Sequence, residues 1–185
     1  MLADLPTLHT ARLTLRPFVL HDADTVQMLA GDYTVYRTTA NLPHPYEAGM
    51  AERWIVTHAH EFYQTGHVTL AITLAATGEL IGCVGLINRA QHQQAELGYW
   101  IGVPYWGQGY ATEAVQAVIQ YGFSVMDLHK IKARHLAMNT ASGRVMQKAG
   151  MHYEATLRDD VLKDGVYHDV LQYAIWQNAV ANKGV

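Results

Sequence analysis

Residues Ala95, Leu97, Tyr99 and Ile101 alternate with Glu96, Gly98 and Trp100, the period-two rhythm of a strand with one face toward a core. The rhythm stops at Pro104. Beyond it, apolar positions fall at Ala111, Ala114, Val115, Val118, Ile119, Gly122, Phe123 and Met126, the i, i+3, i+4, i+7 spacing of an amphipathic helix. The same two periods divide the rest of the chain. Residues 12–17 alternate as a first strand, and 21–30 read as a helix with Asp22 and Asp24 near its N-terminus, where negative charge is favoured. Pro43 and Pro45 make 38–45 a loop, and a second helix is expected over 46–64, stopping near Gly66. Strands at 67–75 and 79–88 flank Thr77-Gly78, a short strand covers 131–136, and a short helix over 141–149 ends at Gly150. Asp164-Gly165 lies between alternating runs at 153–162 and 166–176, a two-residue hairpin signal.

The order is therefore β-α-α-β-β-β-α-β-α-β-β. It describes an α+β chain with a mixed sheet, containing one strand–helix–strand crossover among hairpins, and it excludes a regular doubly wound sheet.

Composition narrows the class. Half of the 185 residues are apolar and 16% are charged, which suits one compact domain over residues 1–185 and not a disordered chain. A net charge of −3 leaves no basic field for nucleic acid. The one cysteine, Cys83, excludes an internal disulfide and reads as a small buried hydrophobe. No N-terminal segment pairs basic flanks with an apolar run, and no stretch approaches about 18 apolar residues. The expectation is a cytoplasmic protein without membrane or nucleic-acid partners.

The chemistry concentrates where strand turns into helix. Gly107 and Gly109 remove two side chains at that turn, so successive N–H groups can converge on a ligand. The helix start adds unpaired donors and the positive end of its dipole. The combination is an anion cradle suited to a phosphate or pyrophosphate.

Five segments carry a family resemblance across nearly the whole chain. They are Leu13-Thr-Leu-Arg-Pro17, Ala95-Glu-Leu-Gly-Tyr-Trp-Ile-Gly102, Tyr105-Trp-Gly-Gln-Gly-Tyr-Ala-Thr-Glu-Ala114, Asn139-Thr-Ala-Ser142 and Leu157-Arg-Asp-Asp-Val-Leu-Lys-Asp-Gly-Val-Tyr-His-Asp-Val170. In this order they resemble the GCN5-related N-acetyltransferases, more narrowly the branch that modifies ribosomal-protein N-termini. The resemblance implies a splayed central sheet with acetyl-CoA, a co-substrate, across the strands containing Glu96 and Ile131. Its pyrophosphate would rest on the amides of Gly107, Gln108, Gly109, Tyr110 and Ala111, with Thr112 in the same turn. Tyr99, Trp100 and Ile101 would line the splay, and Asn139 would hydrogen-bond the pantetheine arm. Trp106 stands where the wider family opens this loop with Gln or Arg. A bulge near Gly98-Tyr99 would turn a backbone N–H toward the thioester oxygen.

Acetyl transfer requires a deprotonated amine, a held oxyanion and a thiolate that leaves. Glu96 is the leading base, since family members often carry a glutamate on this strand; an exposed strand carboxylate is the plain alternative. Asp160 is the other candidate acid, with Asp159 and Arg158 beside it. Met146 occupies the place of the tyrosine that many family members use to protonate the thiolate, so Ser142 is named instead. Ser142 could equally serve only as a helix-start residue.

His58-Ala-His60 resembles a ligand pair, but helix residues two apart point in different directions, so surface histidines are expected and no metal. His44 lies in the 38–45 loop and could touch the acceptor. Tyr167, Asp169, Leu171, Tyr173 and Ile175 read as a core-facing row with an acid at its cleft end. Two rival classes stay open. A dinucleotide-binding loop would need an acid about 20 positions on, ending the next strand, and only Asp127 is near. A non-catalytic acyl-CoA-binding module would bind without releasing CoA. The preferred reading is direct transfer from acetyl-CoA to a primary amine, with a protein N-terminus, polyamine, amino acid or aminoglycoside as acceptor, and a homodimer left open.

Overall fold

The computed structural model describes residues 5–177. Its strands are β1 (Leu8–His9), β2 (Leu13–Arg16), β3 (Val68–Leu74), β4 (Leu80–Arg89), β5 (Gln94–Ile101), β6 (Lys130–Leu136), β7 (His152–Lys163) and β8 (Val166–Trp176). Its helices are α1 (Ala23–Ala30), α2 (Tyr33–Thr38), α3 (Met50–Ile55), α4 (Thr57–Thr65), α5 (Tyr110–Ser124) and α6 (Thr140–Lys148). The strands form one sheet in the order β1-β2-β3-β4-β5-β6-β8-β7. Among the described residues, neighbours are antiparallel except for the parallel β5–β6 pair that α5 connects. This is the α+β mixed sheet that the alternation predicts.

Two apolar layers sandwich the sheet. Leu97 and Ile101 pack with Val115, Val118 and Ile119 of α5 in one cluster. Trp100 and Cys83 pack with Val26 and Leu29 of α1 and Ile55 of α3 in the other. Alternation along β5 is the cause, because successive side chains leave opposite faces of a strand. Arg16, at the end of β2, fixes α1 by a two-pronged ion pair to buried Asp22, at 2.7 and 2.8 Å.

The element order differs from expectation in three places. The two-residue β1 adds an edge to β2, pairing Leu8 with Leu15. Helix α2 is set by Asp32, whose side chain accepts a hydrogen bond from the Thr34 N–H. The helix expected over 46–64 starts late and is interrupted. Gly49 has φ +80°, outside helical space, and the Thr57 hydroxyl donates to the Trp54 carbonyl where the break falls.

Two further expectations give way. Register between β4 and β5 runs unbroken from Gly82↔Ile101 to Arg89↔Gln94, so the anticipated bulge near Gly98-Tyr99 is absent. Along β8, Tyr173 and Ile175 are buried but Tyr167 is exposed. Strand β6 accompanies β8 only as far as Val170, so the hairpin end pairs with β7 alone.

Candidate active site

The site begins where two strands part. Strands β5 and β6 pair from Gln94↔Lys130 to Leu97↔Ala133 and no further, although both continue. From Gly98 onward β5 keeps only β4 beside it, and one backbone edge opens into a cleft. A Cβ built at Gly98 would meet nothing within 4 Å, so the sheet face it shares with Glu96 is open there.

The glycine loop follows directly. The Trp106 indole Nε1 donates to the Ile101 carbonyl at 2.6 Å, folding the loop back on the strand end. Gly107 and Gly109 have φ of +76° and +84°, backbone that L side chains rarely adopt. Gly109 is the N-cap of α5 and caps it with no side chain, so the first-turn N–H groups of Tyr110, Ala111 and Thr112 point out of the helix start. A Cβ at Gly107 would meet no atom within 4 Å. The cradle is bare at Gly107, rich in donors and at the positive end of a helix dipole, which fits a pyrophosphate.

Arg12 and Glu113 brace this loop. The Glu113 Oε1 accepts from the Thr10 hydroxyl at 2.6 Å and from the Arg12 backbone N–H at 2.9 Å, and Oε2 accepts from Arg12 Nε at 2.7 Å. Arg12 Nη1 donates to the Gln108 carbonyl at 3.0 Å, and the guanidinium lies 4.6 Å from the Tyr110 ring centre. Burial acts to raise the Glu113 carboxyl pKa, but the bonds from Thr10 and Arg12 outweigh it and hold the group below the usual range. The sequence reading missed this pair. The partners are 101 positions apart, and only the Thr10-x-Arg12 and Ala-Thr-Glu-Ala segments hinted at it.

On the α6 face of the cleft, the Tyr99 hydroxyl and Ser142 Oγ are 2.6 Å apart. Burial pushes the Tyr99 hydroxyl up to about 12, against a lowering bond from Ser142. Ser142 is not the helix cap. Asn139 is: its Oδ1 accepts from the Ser142 N–H at 3.1 Å, while Nδ2 donates to the Thr38 carbonyl at 2.9 Å. The Asn139 amide thus joins α6 to α2, with one of its two Nδ2 hydrogens engaged by Thr38. Met146 is buried in the core.

On the opposite face lie Glu96 and Asp160. Arg134 Nε donates to Glu96 Oε1 at 3.0 Å and Arg134 Nη1 is 3.6 Å from Asp160 Oδ2, while Arg89 Nη2 stands 3.8 Å from Glu96 Oε2. The two acids named from sequence therefore share one guanidinium. Asp160 reaches it because β7 shifts register between Leu157 and Val161, with Asp159 at φ +50°.

Trp100 shares the Glu96 face, so its side chain is directed away from the Tyr99 side. It lines a cavity of about 390 Å³ with Leu42, Tyr46, Arg53 and Trp54, and the lining includes no carboxylate. Helix α2 is pinned nearby: Lys163 Nζ donates to the Thr39 carbonyl at 2.7 Å, and the Tyr36 hydroxyl to Asp164 at 2.6 Å. His44 stacks on Tyr36 with ring centres 4.9 Å apart.

Among the described residues no group of three His, Cys, Asp or Glu side chains is placed to hold a metal ion. His60 is exposed, but His58 is buried between Phe18 and Trp54, which corrects its reading as a surface residue. No helix among them is long and apolar enough to cross a membrane.

Comparison with known proteins completes the description. The family model for the acetyltransferase (GNAT) domain matches residues 12–152. The uncharacterized N-acetyltransferase YoaA of Bacillus subtilis (strain 168) is 33% identical over 171 residues, covering 92% of this chain and 96% of its own. The spermidine N(1)-acetyltransferase of Escherichia coli (strain K12) is 27% identical over 176 residues, 94% of this chain and 90% of its own. YdaF of Bacillus subtilis (strain 168), described as a candidate ribosomal N-acetyltransferase, is 31% identical over 99 residues, 53% of this chain and 54% of its own. Among solved structures, a GNAT-family acetyltransferase from Bacillus anthracis superposes with TM-score 0.82 at 25% identity, over 94% of this chain and 99% of its own. A spermidine N-acetyltransferase from Vibrio cholerae, in complex with CoA and spermine, gives 0.80 at 23%, over 94% and 100%.

Proposed function

The chain belongs to the acetyltransferase (GNAT) domain family and is an N-acetyltransferase, and from that premise we propose that residues 1–185 form one such domain, which acetylates a single primary α-amine, as at a protein N-terminus. The observation that carries the reading is the parting of β5 and β6 at Leu97 and Ala133, beside a bare glycine cradle. Acetyl-CoA supplies the activated acetyl group, with its pyrophosphate on the amides of 107–111 and its arm in the cleft.

The roles divide by face. Glu96, one residue before the parting, accepts the amine proton, directly or through a water, and Asp160 supports it across Arg134. The unpaired β5 edge from Gly98 offers backbone N–H groups to the developing oxyanion, without a bulge to turn them. Ser142, hydrogen-bonded to Tyr99, offers an O–H to the departing sulfur. Amine attack forms the C–N bond as the C–S bond breaks, and no enzyme nucleophile intervenes.

Charge supports one acceptor class over the other. A polyamine needs uncompensated carboxylates, but Glu96 and Asp160 are paired with Arg134 and Arg89. The adjoining cavity carries Arg53, which has no ionic partner among the described residues, and three aromatic side chains. Those features suit one amine on a partly apolar body, the chemistry of the ribosomal-protein N-terminal branch. The spermidine acetyltransferase relative is the observation favouring a polyamine instead. CoA-thiol release from acetyl-CoA, measured with N-terminal ribosomal-protein peptides and with spermidine, separates them: a higher kcat/KM for a peptide supports the proposal, and a higher value for spermidine overturns it.

A further inference from the structure

A carboxylate in the first turn of α5 is out of place if a pyrophosphate binds there. Glu113 is three residues beyond Tyr110, the first residue of the helix, and would repel a doubly charged ligand. Resting on the reading of 107–111 as the pyrophosphate cradle, we propose that Arg12 is a phosphate-binding residue of this site, anchored by Glu113 and reaching over Gly109. Three groups of Arg12, its backbone N–H, Nε and Nη2, converge on the Glu113 carboxylate, with Nη2 at 2.7 Å from Oε2. The ion pair cancels the charge that would oppose the ligand.

The same guanidinium is held at the rim of the cradle. Its Nη2 would stand 3.4 Å from a Cβ at Gly109, so it borders the bare surface of the cradle. Nη1 donates to the Gln108 carbonyl, between the two glycines. Nε and one Nη1 hydrogen are hydrogen-bonded and Nη2 stands in the ion pair with Glu113, so both terminal nitrogens keep hydrogens for a ligand. The side chain is 49% exposed, against 18% for Glu113, so the cation faces solvent and the anion is shielded. Arginine suits this role because its planar fork can hold a carboxylate and a phosphate together. Tyr110, under the guanidinium, restricts where it can swing.

Calorimetric titration of the free protein with CoA, and with pantetheine lacking phosphates, tests the assignment. Arg12→Met should weaken CoA at least about 10-fold, the value of a charge-assisted hydrogen bond, and leave pantetheine unchanged. Arg12→Met/Glu113→Gln should recover part of that loss, because the opposing charge is gone. Arg12→Lys, which keeps the cation and guards against a misfolded Met variant, should lose less than Arg12→Met. Thermal melts of each free variant report folding. Three results overturn the proposal: CoA affinity within twofold of wild type in folded Arg12→Met, equal loss of CoA and pantetheine, or a double variant no better than the single one. Failure of wild-type protein to bind CoA would instead remove the cradle reading itself.

Discussion

Arg134 and Glu96, on the two parallel strands that part at the cleft, are joined by two nitrogens, Nε at 3.0 Å and Nη2 at 2.9 Å from Glu96 Oε1. The third nitrogen of the same guanidinium turns to Asp160. Both acids therefore take their place from one guanidinium. Groups that share a partner do not act additively.

Glu96→Gln should therefore lower kcat by about 10²-fold at neutral pH and less in alkali, where the amine deprotonates unaided. Asp160→Asn should cost less, and the double variant should fall short of the product of the two losses. Rate profiles against pH for all three proteins check this. A uniform loss across pH would remove Glu96 as the base.

Gly109→Val should abolish tight acetyl-CoA binding in a protein that still folds. A β-branched residue at φ +84° is strained by about 1–2 kcal/mol, and its side chain would fill the surface beside Arg12 Nη2. Calorimetry beside a thermal melt distinguishes a blocked cradle from an unfolded domain.

Tyr99→Phe removes the hydroxyl that Ser142 Oγ meets at 2.6 Å. Stability should fall by about 1 kcal/mol, the net worth of a hydrogen bond. If Ser142 donates to the leaving sulfur, Tyr99→Phe and Ser142→Ala should each lower kcat and leave the KM for acetyl-CoA nearly unchanged. Steady-state kinetics with varied acetyl-CoA reads the split.

His58 sets an acid limit on stability. Burial against Phe18 and Trp54 lowers its pKa to about 4, from 6.5. The unfolded chain thus binds a proton more readily, so stability is complete above pH 6.5 and declines as pH falls toward 4. The full loss is on the order of 3 kcal/mol. His58→Leu should flatten that decline, measured as urea midpoints at pH 7.5 and 5.

Local pattern made much of this protein legible. The strand through Glu96, the helix after Gly109 and the Asp164-Gly165 hairpin each follow from periodicity or turn chemistry within a few residues, and the structure keeps all three. Departures came where a local backbone angle or bond overrode a periodic run, as at Gly49 and at Thr57. The two-residue β1 and six-residue α2 are too short to show a period at all.

The sequence by itself determined the mixed sheet and the glycine turn that opens α5, because those depend on neighbours along the chain. Tertiary structure alone decided how these residues are used. It ended the β5–β6 ladder at Leu97, brought Glu96 and Asp160 to one guanidinium, committed Asn139 to Thr38 and placed Arg12 against Glu113. Each of those contacts joins groups far apart in the chain. Charge and hydrogen-bond strength depend on distances in space, which no spacing in the sequence encodes.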